Sequence, residues 1–547
     1  MERRSFLRWS AALGAGGAAA AAGIAAYGRW REIQPVLHSP GRAEGHYLRD
    51  LARGRQALPA PAEVIDVDVA VLGSGIAGLT AAWKLHREGV KDVLIVDGPE
   101  PFGNAAGGTY GALAYPTGAH YLPIPPQECL HVRHLLYDLG IITRDPYGPK
   151  PYYDEKLILH APHERLLFNG KWHEGIVPRQ GVPAAELAEH ARFNAAMEKL
   201  HAMRGADRRK VFTLPAAQAS NDPAWRRLDT ITFKAWLEQH NFRAPTLLWY
   251  LDYCCRDDYG TGIDRVSAWA GLHYFCARGG EAANAEGGAW LTWPGGLQPL
   301  AAKLAERTGA RRIGGAVASV RQVDGRAEAL CFVLENGKPR GKPRTYLVRA
   351  RKAICAMPLF VAARVVDDIA SYGFDPARHM PTYAPWLVTN FLLDRFPEEL
   401  PEAPLSWDNV VHGTKGLGYV VSTHQDIRQV PPAQTVFTSY VALADRDPLE
   451  ARKWMESAPA EELLALAMVD LRAAYGSDID ACVQRADITL RAHAMAAPLP
   501  GFLSNPGAQA LRDADGPVLF AHSDLSGFSV FEEASWWGWQ AARAALA

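Results

Sequence analysis

The chain has 547 residues, 48% of them hydrophobic and 21% charged, with a formal net charge of -1. That length exceeds what a single hydrophobic core organises, so two or more domains are expected, and the charge balance gives no footing for nucleic acid or another polyanion. Seven cysteines cannot all pair with one another, and no C-x-x-C or Cys/His zinc spacing occurs, so neither a disulfide framework nor a metal site is expected.

The chain opens Met-Glu-Arg-Arg-Ser-Phe-Leu-Arg and continues alanine- and glycine-rich to about Tyr27. The paired Arg3-Arg4 followed by Phe6-Leu7 resembles a twin-arginine export signal over 1–30, which implies the export machinery as partner and a periplasmic destination. The segment is too weakly apolar for a firm membrane span, although an uncleaved signal would anchor the protein to the inner membrane. Residues 31–62 are polar and proline-containing, a linker or an arm on the domain surface.

Val67–Gly78 then reads Val-Asp-Val-Ala-Val-Leu-Gly-Ser-Gly-Ile-Ala-Gly, an apolar run of strand length ending in G-x-G-x-x-G. Gly73 suits the turn out of the strand, Gly75 brings no Cβ against a pyrophosphate, and Gly78 lets the following helix pack on the strand. The helix N-terminus at Ile76-Ala77 directs N–H groups at the phosphates. A second strand, Asp92–Val96, ends in Asp97, 24 positions after Gly73, close to the usual ~20 for a ribose-binding acid. The glycine-rich loop that follows contains Gly107-Gly108 and leads into Gly118-Ala119-His120.

From Pro126 the pattern becomes mostly helical. Leu157–Leu159 and Leu166–Phe168 have strand character, Asn169-Gly170 is a hairpin turn, and Pro183–Met203 carries helical periodicity. Thr232 caps one short helix and Pro245 opens another. Arg256-Asp257-Asp258-Tyr259-Gly260 ends that helix; the adjacent carboxylates are expected to form a structural junction, one of them paired with Arg256. Cys254-Cys255 is expected to be two buried thiols. After Pro294-Gly295-Gly296 the pattern returns to α/β: helix Leu297–Arg307, strands Ala310–Ile313 and Ala316–Val320, a turn at Asp324-Gly325, and a buried-type strand ending at Pro358. Trp386–Leu393 and Val436–Leu443 have strand character, and Pro459 opens a helix to about Ala474. Strand Val518–Ala521, a turn through Asp524 and helix Glu532–Leu546 complete the chain.

The order of these segments resembles the flavin-dependent amine oxidase family, which includes monoamine and polyamine oxidases and relatives such as protoporphyrinogen oxidase. The resemblance implies an α/β fold: an FAD-binding Rossmann-like domain of the amine-oxidase type with an inserted α+β substrate domain. FAD-binding parts would span 63–125, 291–375 and 511–547, and substrate parts 126–290 and 376–510. It also implies that Gly73, Gly75, Ile76, Ala77, Gly78 and Asp97 hold the pyrophosphate and ribose, and that Gly107, Gly108, Gly118 and Ala119 pass the flavin ring. Val317 would meet the adenine through its backbone. Asp524, Glu532 and Ala534 would form the closing motif at the ribityl chain and ring. The implied reaction is hydride transfer from a small molecule, an amine or polyamine, to flavin N5, with a desaturase or dehydrogenase of another substrate, or a non-catalytic flavoprotein, as alternatives.

The chain departs from the family in three places. Thr109 stands where the paired glycines are usually followed by arginine, and no arginine is near. Asn390 aligns with a lysine that holds a water near N5 in many members, so Asn390 and His120 are the candidates for the catalytic face. His522-Ser523 replaces a common glycine, and Phe528, Phe531 and Trp386 are candidates for an aromatic cage.

Overall fold

The computed structural model describes residues 33–334, 343–430 and 432–547. The export-signal motif at Arg3-Arg4 lies outside these residues. Among the described residues no helix is long and apolar enough to cross a membrane.

Strand Val64–Leu72 lies between Val93–Val96 and the second half of Arg344–Cys355, all parallel. Arg311–Ile313 extends this set beyond Val93–Val96, and Val518–Phe520 joins Arg344–Cys355 on the other side. Parallel strands are covered on both faces, which explains the unbroken apolar runs; all four residues of Val93–Val96 are buried. The first half of Arg344–Cys355 pairs antiparallel with Arg326–Val333. That strand folds back on Ala316–Val323 through Asp324-Gly325, both at positive φ.

A second sheet has eight strands, in the order Val36–His38, Val483–Ala496, Tyr383–Leu393, Thr435–Ala442, Tyr419–Val421, Asp408–Val411, Glu164–Phe168 and Lys171–Glu174. Alternation along Tyr383–Leu393 separates its two faces. Leu387, Phe391 and Leu393 pack on Leu463, Ala467 and Leu471. Ala384, Trp386 and Val388 turn the other way, towards Tyr253, Trp407 and Tyr440. This second face looks at the dinucleotide-type domain.

Of the two readings for this segment, linker or surface arm, residues 33–62 form the arm. Val36–His38 adds a parallel edge strand to the second sheet, and helix Arg42–Ala52 buries Tyr47 against Phe332 of the first. The arm therefore touches both sheets. The helices Ala184–His201, Phe233–Gln239, Pro245–Tyr259 and Ala268–Cys276 share one core with helix Ile76–Arg87 and the last helix, Phe531–Leu546. Thr232 caps its helix through Ala235 N–H, and Cys254 and Cys255 are buried free thiols. Two local expectations change. Leu157–Leu159 contributes one bridge, Ile158 to Leu291, rather than a strand. The helix after Pro459 is two helices, Ala460–Ala467 and Val469–Tyr475, meeting at Met468.

Candidate functional site

The glycine loop has three different glycines in it. Gly73 holds φ +120°, and a Cβ there would stand 2.5 Å from the Ala356 carbonyl oxygen. A Cβ on Gly78 would stand 1.9 Å from the Gly73 carbonyl, so the close approach of helix to strand requires glycine. A Cβ on Gly75 would meet no protein atom within 4 Å, and no side chain caps the helix Ile76–Arg87 there. An uncapped N-terminus beside a position kept clear of side chain is the cradle a pyrophosphate requires, and FAD fits it. The last helix reaches the same place: a Cβ on Gly538 would lie 2.1 Å from the Ala77 carbonyl.

Asp97 follows strand Val93–Val96, and its Oδ1 accepts from Arg312 Nε at 2.9 Å and Nη2 at 2.7 Å. Val317 is buried at a bulge between Val317 and Ser319. Gly107 and Gly108 lie in strand Gly107–Tyr110, paired with Leu113–Pro116, where a Cβ on Gly108 would meet the Tyr115 ring. The Gly118 carbonyl accepts from the Tyr440 hydroxyl at 3.1 Å, Ala119 N–H donates to the Asn104 carbonyl at 2.7 Å, and Leu297 N–H donates to the Ala119 carbonyl at 3.0 Å. The Pro294–Gly296 segment thus folds against the 116–120 loop.

Asp524 is buried, with its oxygens engaged by protein partners. Leu359 N–H and the Tyr383 hydroxyl donate to Oδ2, and His522 Nδ1 lies 3.2 Å from Oδ1. Burial opposes the charged form, but His522, Tyr383 and Leu359 together hold this carboxyl below the usual range. It therefore also caps helix Leu359–Val365. Glu532 and Glu533 occupy the first turn of the last helix, both buried. Glu532 Oε1 has no hydrogen-bond partner. Glu533 accepts from Ala216 N–H and the Ser526 hydroxyl, and burial pushes it up to about 7. Ala534 follows, its N–H on the Val530 carbonyl.

His120 and Asn390 are on one face of the second sheet but in different surroundings. Asn390 is fully buried at the tip of the Gly107–Pro116 hairpin, its carbonyl accepting from the Tyr110 hydroxyl and its Oδ1 from Thr438, while Nδ2 is unpartnered. The side chains of the same face nearer the 117–120 loop are Trp386, beside Tyr440, and its cross-strand neighbour Arg491. His120 stacks on Tyr440 at 4.6 Å between centroids and stands 5.3 Å from Trp407 and 5.0 Å from Tyr121. Trp290 closes the ring set, 5.4 Å from Tyr121 and 5.8 Å from Trp407. Burial holds His120 down at about 3, so it is neutral.

Two carboxyls stand beside this aromatic cluster, Asp257 and Asp408. Helix Pro245–Tyr259 carries Asp257 at its last turn, close to Tyr121, and burial with repulsion from Asp258 pushes it up to about 7. Asp408 opens strand Asp408–Val411 on the same face as Val410; burial, Asp257 and Glu164 raise it well above the ordinary range. The expected junction is corrected accordingly. Arg256 binds Asp252 at 2.9 Å and Asp258 binds Arg278 at 2.5 Å, so Asp257 keeps no arginine to itself. Of the three cage candidates, Trp386 lies beside Tyr440, whereas Phe528, which stacks on His273 at 4.8 Å between centroids, and Phe531 pack in the helical core. Tyr121 and His120 are adjacent in sequence, but Trp290, Trp407 and Tyr440 come from three distant segments that carry no shared motif.

The sequence model described as flavin containing amine oxidoreductase matches residues 76–546. No curated protein sequence matches the chain. Among solved structures, a putrescine oxidase bound to putrescine is 17% identical at a TM-score of 0.59, covering 88% of this chain and 99% of that one. Cyclohexylamine oxidase from Brevibacterium oxydans IH-35A is 17% identical at 0.59, with 88% and 98% covered. A CLA-producing fatty acid isomerase from P. acnes is 14% identical at 0.55, with 86% and 97% covered. At these identities the solved structures show the shared fold, and the family match, which spans most of the chain, shows the cofactor and the class of chemistry. The chain belongs to the flavin containing amine oxidoreductases and is an FAD-dependent oxidoreductase.

Proposed function

We propose that this enzyme oxidises an amine that binds at its aromatic cluster as a cation. The observation that carries the reading is a cluster of five stacked or tilted rings, from His120 to Trp290, with the carboxyls of Asp257 and Asp408 beside them. Aromatic faces attract an organic cation, and a desolvated carboxylate pairs with it. An alcohol would gain a hydrogen bond but no ion pair from these carboxyls, and a fatty acyl chain would gain neither. The named amine oxidases among the structural neighbours support the same choice.

FAD, when bound, would supply the acceptor for the hydride and the two electrons it carries. Gly73, Gly75–Gly78 and Asp97 would hold its pyrophosphate and ribose, and Gly118-Ala119 would run beside its ring. A hydride leaves carbon readily only when the neighbouring nitrogen carries a lone pair, so an ammonium must first give up a proton. Asp257, with a carboxyl pushed up to about 7, is matched to accept it. His120, neutral across the working range, lends an aromatic face without repelling the cation. Export to the periplasm belongs to the same proposal, supported by Arg3-Arg4 and the alanine-rich stretch after it; a folded, FAD-loaded enzyme requires a route that carries folded proteins.

The test is anaerobic reduction of the bound flavin by a panel of monoamines, diamines, polyamines, alcohols and unsaturated fatty acids. Bleaching by amines alone supports the proposal. Bleaching by alcohols or turnover of fatty acids with no response to amines overturns it.

A further inference from the structure

The loop after Asp97 has Thr109 where the family resemblance implies an arginine after Gly107-Gly108, and the structure brings one to the same loop from elsewhere. Arg491 belongs to strand Val483–Ala496 of the second sheet, but its side chain, 8% exposed, enters the first domain's loop. Nε donates to the Thr117 carbonyl at 2.7 Å. Nη1 and Nη2 each donate to a separate oxygen of Glu100 at 2.9 Å, and they also reach Asn104 Oδ1 and Thr117 Oγ1 at 3.3 Å. Asn104 in turn donates from Nδ2 to the Ala494 carbonyl at 2.6 Å, so the strand and the loop are tied in both directions.

The two ends of this clamp matter for the cofactor. Thr117 directly precedes Gly118, and the Asn104 carbonyl that receives Ala119 N–H lies where a Cβ on Gly118 would stand, 2.3 Å away. At the other end, a Cβ on Gly103 would lie 3.8 Å from Gly75 Cα. One guanidinium therefore fixes a loop that runs from the pyrophosphate glycines to the glycine beside the ring. We propose that Arg491 is a positioning residue for FAD, replacing from the second sheet the arginine absent after Gly108. A planar fork with five donors suits this set of a carboxylate, a carbonyl and two side-chain oxygens; an ammonium cannot span it.

The experiment compares R491A, R491K and E100Q with the unmodified holoenzyme. The readouts are FAD retained per protein, the rate of FAD release, the visible circular dichroism of the bound flavin, and the melting temperature of the FAD-free protein. The expected result for R491A is FAD binding weakened roughly 10- to 100-fold, as loss of charged hydrogen bonds implies, with an altered visible dichroism. R491K recovers only part of the loss, E100Q reproduces much of it, and added methylguanidinium restores FAD retention to R491A. Unchanged retention and dichroism in R491A and R491K would overturn the proposal. So would equal losses in FAD-free stability and FAD retention with no methylguanidinium rescue, because that pattern marks a general structural role. Should R491A not fold, R491K and E100Q give the same two-way answer.

Discussion

Replacing Asp257 by asparagine separates what this carboxyl does for the substrate from what it costs the fold. Its ordinary value of 3.8 rises to about 7, first through burial and then through Asp258, with Arg278, Arg256 and Tyr121 opposing. A shift of about 3 units at 1.36 kcal/mol each amounts to roughly 4 kcal/mol. The folded protein holds this proton more tightly than the unfolded chain, so the associated stability is full below about pH 4 and is lost as the pH rises towards and through about 7. Asparagine mimics the protonated acid at every pH. D257N should therefore match the unmodified enzyme near pH 4 and exceed it by up to about 4 kcal/mol at pH 8.5. With an unfolding entropy on the order of 1 kcal/mol/K for a chain of this size, that is about 4 °C in melting temperature. The assay is differential scanning of both holoenzymes across pH, paired with substrate affinity from anaerobic flavin reduction, where losing the ion pair should weaken amine binding by roughly 10- to 100-fold. A melting difference independent of pH, or a D257N less stable at pH 8.5, would refute the buried-acid argument.

Further expectations concern the glycine loop and the rings. G78A drives a methyl to 1.9 Å from a backbone carbonyl and should lower the stability of the FAD-free protein by about 1–3 kcal/mol, read by urea unfolding. G75A meets no protein atom and should leave that stability unchanged while reducing FAD retention, measured by absorbance of the purified protein. W407A removes a ring 5.3 Å from His120 and should weaken amine binding by about 1–2 kcal/mol while sparing the affinity for FAD, as titration of flavin reduction would show. His120 is held at about 3 by burial, so H120F, which keeps a flat ring, should leave the pH profile of flavin reduction between 5 and 8 in place, whereas D257N should remove its inflection near 7.

The cofactor half of the site was legible because its constraints are local. Gly73, Gly75 and Gly78 act within six residues, and the helix they open follows at once. The substrate half was not, because its walls are built from register. Val388 stands opposite Tyr440, and Asp408 faces inward because it alternates with Asn409, which turns to bind Arg165 at 2.6 Å on the other side. Nothing in the sequence near Trp290, Trp407 or Tyr440 marks them as neighbours. Asp257 was visible as an acid at a helix end, but its role depends on Arg256 reaching back to Asp252 and on Arg278, just beyond helix Ala268–Cys276, taking Asp258. Asp97 follows its strand and Asp524 sits in the turn after its own, as the pattern required, while Arg312, His522 and Tyr383 at their carboxylates came only with the structure. Trp83, Trp172 and Trp269 sit fully buried in cores, which is why a high tryptophan count by itself did not locate the aromatic cluster.

The central claim is that an ammonium group is held among Asp257, Asp408 and the rings around His120. A crystal structure of the holoenzyme with a bound aliphatic amine tests it most directly. The account predicts the nitrogen within hydrogen-bond reach of Asp257 or Asp408 and in contact with the rings of Trp407 and Tyr440. An amine bound with its nitrogen away from both carboxyls, or a site that admits only a neutral or anionic ligand, would contradict it.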